Sequence, residues 1–272
     1  MANDYENSAI IKDIRRSIDI LKDLLGGHIA KQNAFWRPYI DGYDKWCDNG
    51  ANYSQYCSSD CLISLNRFAR YVDLFWRDCR NHGRLDDLKH RLRNPRYVEH
   101  LLFEFRTGER FINRGIETHW IGGSSFADLE VITGDKQRVL IECVLLIQKS
   151  SRGMDNNMLV NDLLKAAKGK RQSKRGANDY SRIVAIKVPE IINWPSLDFG
   201  TRIREKLRDW EITGHMRNVG CLLMMGKETV VRAGSGNTAS MYFDQEYFPY
   251  LVESTRPEIP AEVINKLELR GA

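Results

Sequence analysis

The chain has 272 residues, of which 42% are apolar and 28% charged, and a formal net charge of +5. That length suits one large domain, or a core domain with a helical appendage, and the mild basic excess is compatible with a polyanion partner. No apolar run reaches the ~18 residues of a membrane span, and the acid-bearing start MANDYENSAIIKDIRRSIDI is unlike a secretory signal, so no membrane association is expected.

The six cysteines are Cys47, Cys57, Cys61, Cys79, Cys143 and Cys221. They are scattered, and the last two stand inside apolar runs as reduced core residues, which predicts a cytoplasmic protein. Cys47, Cys57, Cys61 and Cys79, with His82, fit no common zinc spacing.

In chain order, Ile10, Ile11, Ile14, Ile18, Leu21, Leu24 and Leu25 form the stripe of a helix over about 7–25, stopped by Gly26-Gly27. A second, aromatic-rich helix is predicted over 29–46, with Phe35, Trp36, Tyr39, Tyr43 and Trp46 as packing residues. A third is predicted over 59–79. Asn94-Pro95 supplies the cap and first residue of the next helix, on which Glu99 and Glu104 are the notable acids and Gly108 marks a turn or end. Strands follow at 115–121, 126–133 and 138–147, with turns at Gly122–Ser125 and Gly134-Asp135. A helix over 155–171, a buried strand over 181–188, a helix over 198–213 and a buried strand over 219–225 come next. Short edge strands at 230–232 and 240–243 and a last helix at 261–269 complete the pattern. A three-strand meander followed by helical crossovers makes a mixed β-sheet flanked by helices, behind an all-helical N-terminal region; the division is 1–92 and 93–272.

Two residues break the apolar strand pattern: Asp128 in FADLEVIT and Glu142 in RVLIECVLL. A carboxylate among Val, Ile and Leu is costly unless it is paired or binds a metal. Two on adjacent strands make a divalent-cation site a candidate, because Mg²⁺ takes oxygen ligands. A structural reading of Asp128 is an edge-strand acid paired with an arginine, and Glu99 and Glu104 have the ordinary reading of solvated helix acids. The basic run after Lys165 reads equally as an exposed helix end.

This order of elements and acids resembles the PD-(D/E)XK, restriction-endonuclease-like nuclease superfamily over about 94–225. The resemblance implies a metal-dependent nuclease that hydrolyses DNA, with Mg²⁺ or Mn²⁺ held by Asp128, Glu142, the carbonyl of Cys143 and Glu99. Val144 stands where the family carries its lysine. A migrated lysine would be Lys165 or Lys168, and Gln148 shares the strand face of Glu142. Lys168, Lys170, Arg171, Lys174 and Arg175 would contact phosphates. The N-terminal helices would recognise substrate, bind a protein partner or form a homodimer. The rival is a catalytically degenerate nuclease-fold module that binds nucleic acid or a protein, and Val144 is the residue that favours it.

Overall fold

The structure, a computed structural model, describes residues 9–49, 59–80, 84–122, 127–145, 161–162, 165, 180–187, 197–212, 219–233, 240–251 and 258–268. The fold is mixed α/β. Two compact units divide the chain: Met1–Arg106 with Glu228–Asp244, and Thr107–Lys227 with Gln245–Ala272.

The first unit carries helices α1 (Ala9–Leu25), α2 (Gly27–Gln32), α3 (Arg37–Asn49), α4 (Ser59–Arg80), α5 (Arg84–Arg93) and the beginning of α6 (Pro95–Ile112). The predicted stripe of α1 is buried at Ile14, Ile18, Leu21, Leu24 and Leu25, and α1 packs on α4, whose Leu65, Phe68, Ala69, Val72 and Phe75 are buried too. Burying a Leu or Phe side chain of this kind stabilises by roughly 1.5–3 kcal/mol, which exceeds what helix propensity supplies. Gly26, at φ 77°, ends α1 as expected. Of the aromatics predicted to pack here, Trp36 and Tyr43 are buried, and the Trp36 ring centroid is 5.3 Å from that of Phe68.

The single helix expected over 29–46 is two helices. Asn33 is the cause. Its Oδ1 accepts the backbone N–H groups of Phe35 and Trp36, which draws the chain out of the α2 spiral. Its Nδ2 donates to the carbonyls of Leu92 and Arg93, so one side chain also caps the end of α5. Helix α5 was not anticipated. Its sequence RLDDLKHRLR is mostly charged, and only Leu88, Leu92 and the Arg91 side chain are buried. At the start of α6 the expected cap is present, Arg96 N–H donating to Asn94 Oδ1 at 3.1 Å. Gly108 neither turns nor ends α6, which continues to Ile112. A glycine costs about 1 kcal/mol inside a helix, less than the burial of Phe105 and Phe111 on either side of it returns.

The second unit carries β1 (Glu117–Trp120), β2 (Leu129–Ile132), β3 (Arg138–Leu145), β4 (Ser181–Lys187), α7 (Leu197–Ile212) and α8 (Ala261–Glu268). Strands β5 (Cys221–Ala233) and β6 (Ser240–Leu251) have residues in both units. The sheet is six-stranded in the order β1-β2-β3-β4-β5-β6. Strands β1, β2 and β3 form the expected antiparallel meander; β4 then runs parallel to β3, and β5 parallel to β4. Six consecutive residues of β3 and six of β4 are buried, as central parallel strands require.

Strand β5 is one long strand where two were expected. Thr229, Val230 and Val231 are β-branched, and their preference for extended backbone carries the strand past Gly226. The β2–β3 turn falls at Gly134-Asp135 as read, with Thr133 Oγ1 accepting the Gln137 N–H and Lys136 at φ 67°. Helix α8 is fastened to it: Glu262 Oε2 accepts the Gly134 N–H at 2.9 Å, and Arg114 Nε donates to the Lys266 carbonyl. Among the described residues no helix is long and apolar enough to cross a membrane.

Candidate metal centre

In the second unit, Asp128 and Glu142 are 3% and 0% exposed, so neither is a surface acid. The β2–β3 register ends with Leu129 opposite Ile141, and Asp128, one residue earlier, donates its backbone N–H to the Ile141 carbonyl at 3.0 Å. Asp128 stands one residue before β2, rather than inside it, and its Oδ2 accepts the backbone N–H of Cys143 at 2.7 Å. A side-chain carboxylate thereby takes the place of a backbone acceptor at the strand end. That bond fixes Asp128 beside the β3 segment Glu142-Cys143-Val144. Asp128 is thereby held against the backbone of the residue that follows Glu142.

On the β3–β4 side, the parallel register pairs Leu140 with Arg182 and Glu142 with Val184. Registered partners project to one face of a sheet, so Arg182 is a diagonal neighbour of Glu142 on its own face. Arg182 is 1% exposed. Burial pushes its guanidinium down from the ordinary value, and the Glu142 charge opposes that shift. As sequence, SRIVAIKV reads as a plain buried strand, and Arg182 does not stand out as a site residue. The signal was there: it interrupts an apolar strand as Glu142 does.

Val144, at the motif lysine's place, is buried. Lys165 is exposed, with its Nζ 4.0 Å from Asp162. Lys168, Lys170, Arg171, Lys174, Arg175 and Gln148 lie outside the described residues.

In the first unit, Glu99 stands on the exposed side of α6, and the acid turned inward is Glu104, fully buried. Leu101, Glu104, Gly108 and Phe111 form one i, i+3, i+7, i+10 row along α6, a spacing from which the inward position of Glu104 could have been read. Arg91 grips Glu104 with both guanidinium nitrogens, at 2.5 and 2.8 Å, and His100 Nδ1 lies 2.6 Å from Oε1. Burial alone would raise the Glu104 carboxyl, but the hydrogen bonds and charges of His100 and Arg91 outweigh it and hold the group at about 2. Glu104 is thus a carboxylate answered in place by a bidentate cation.

The donor set of the second unit alone, two buried carboxylates on neighbouring strands, is the hard-oxygen chemistry that Mg²⁺ and Mn²⁺ accept. No family model, no curated protein and no solved structure matches the chain.

Proposed function

We propose that the chain is a metal-dependent nuclease that hydrolyses phosphodiester bonds in DNA, with a restriction-endonuclease-like core. The observation that carries this reading is the pair Asp128 and Glu142, both buried, with Asp128 Oδ2 on the backbone N–H of Cys143, the residue after Glu142. The succession supports it as well: helix α6, an antiparallel meander β1-β2-β3, then β4 parallel to β3, with the acids at β2 and β3.

Asp128 and Glu142 would hold the Mg²⁺ or Mn²⁺ ion. A strand residue presents its N–H and C=O on the same edge, so the Cys143 carbonyl is directed to the side from which its N–H reaches Asp128, and it is the natural third oxygen. The ion, when bound, supplies charge neutralisation at the phosphate and an acidified water. The chain's own part is to hold those oxygens rigid: Glu142 by its place in a central strand, Asp128 by the Cys143 N–H. In the hydrolysis, the oxygen of water bonds to phosphorus, the bond from phosphorus to the sugar oxygen breaks, and a proton passes to that departing oxygen. Lys168, Lys170, Arg171, Lys174 and Arg175 would contact the phosphate backbone; Lys168 or Lys165 would assist the water, and Glu99 a second ion or water.

Val144 favours the second reading, a degenerate nuclease-fold module that binds nucleic acid or a protein partner without cutting. Plasmid cleavage in Mg²⁺ and in Mn²⁺ separates the two. The nuclease reading expects metal-dependent cutting that falls at least about 100-fold, the order of removing a charge-stabilising group, in Asp128→Ala and Glu142→Ala. DNA retarded on a gel but uncut by the wild-type chain in either metal would establish the module.

A further inference from the structure

Arg182 is a charged side chain in the middle of the sheet. It lies on β4, between β3 and β5, at 1% exposure, and its backbone carbonyl accepts the Gly220 N–H at 2.8 Å. A guanidinium in such a place is retained against a large desolvation cost. Too deeply buried to meet a phosphate arriving from solvent, it acts on what is beside it. On its face of the sheet the β3 residues are Leu140, Glu142 and Val144, and the β4 residues are Val184 and Ile186. All but Glu142 are apolar. Glu142 is therefore the acid on these two strands that Arg182 serves, and the pairwise attraction between them is favourable.

The formal charges then decide the role. Asp128 and Glu142 are two buried acids, Asp128 held on the Cys143 N–H next to Glu142, and Arg182 brings a positive charge beside Glu142. Buried like charges repel, and a fixed cation beside one of them relieves part of that repulsion. A divalent cation taken by these acids would bind against the Arg182 charge. Salt screens this contest weakly because all three groups are buried.

We infer that Arg182 is a positioning residue which, acting through Glu142, is the resident counter-charge of the carboxylate pair and sets how tightly that pair takes a divalent cation. The inference rests on the reading of Asp128 and Glu142 as the metal ligands. It differs from a migrated catalytic lysine: Arg182 touches neither water nor phosphate, and its removal tightens cation binding.

The test is Mn²⁺ binding by calorimetry and by the electron paramagnetic resonance signal of free Mn²⁺, at constant pH and salt, on the full chain. Arg182→Met is expected to lower the Mn²⁺ dissociation constant about tenfold, by removing a buried like charge near the ion. Arg182→Lys, which keeps the charge, is expected to stay within about threefold of wild type. A merely structural arginine gives the opposite sign, because a loosened sheet binds the ion more weakly. Should the Met variant not fold, Arg182→Gln, polar and of similar reach, carries the same comparison. Binding by the wild type with equal or weaker binding by the neutral variant overturns the inference and leaves the metal reading standing. Binding by the neutral variant alone upholds the inference and overturns the nuclease reading. No binding by either overturns both.

Discussion

Two sets of buried carboxylates among the described residues are treated differently. In the first unit Glu104 is matched one to one. Arg91 takes both of its oxygens and His100 adds a third contact. In the second unit two acids are buried, Asp128 on the Cys143 N–H and Glu142 one residue before it, with Arg182 as the cation neighbouring Glu142. A matched buried charge is a structural fastening, whose value appears when one partner is removed. The second, unequal set offers the carboxylate oxygens that a divalent cation takes.

The largest effect should come from breaking the matched cluster. Arg91→Met leaves the Glu104 carboxylate buried without its bidentate partner, and should cost about 3–5 kcal/mol of unfolding free energy in urea. The double change Arg91→Met with Glu104→Met should recover most of the loss. If the single variant lost less than about 1 kcal/mol, the cluster would not be the fastening described.

Acid should break the same cluster by titration. The folded Glu104 carboxyl is held at about 2, below its ordinary value of 4.5. A group lowered on folding stabilises above its unfolded value and loses that contribution as pH falls through its folded value. On the order of 3 kcal/mol should therefore disappear between roughly pH 5 and pH 2. Unfolding curves across that range should be steeper in pH for wild type than for Arg91→Met. Equal slopes would contradict the ion pair.

The smallest effect on stability should come from the unequal set. Asp128→Asn keeps an oxygen to accept the Cys143 N–H and removes one of two like charges. Thermal unfolding should show a change within about 1 kcal/mol, or a gain, as is common when a functional charge is removed. A loss of several kcal/mol would make Asp128 a structural acid.

Much of the fold was legible from pattern. The α1 stripe, the Asn94 cap, the meander and the buried strand β4 follow from local periodicity and turn chemistry, and they are where the sequence put them. What was not legible depends on contacts distant in sequence. Asn33 splits a helix because its amide reaches Leu92 and Arg93, about sixty residues on. Helix α5 is held by such contacts and shows few apolar residues of its own. At the candidate site, Asp128 and Glu142 were visible because each interrupts an apolar strand. Glu104 and Arg182 follow the same rule, one on a helix and one on a strand. They were passed over in favour of Glu99 and of lysines downstream of β3, although the row Leu101, Glu104, Gly108, Phe111 and the strand SRIVAIK both showed a charge at an inward position.

The central claim is that Asp128 and Glu142 form a divalent-cation site. Calorimetric titration of Mn²⁺ into wild type, Asp128→Asn and Glu142→Gln tests it most directly. The account predicts one saturable site in wild type, weakened at least about tenfold by either substitution, in chains that remain folded. Binding of equal strength in all three proteins, or none in the wild type, would contradict it.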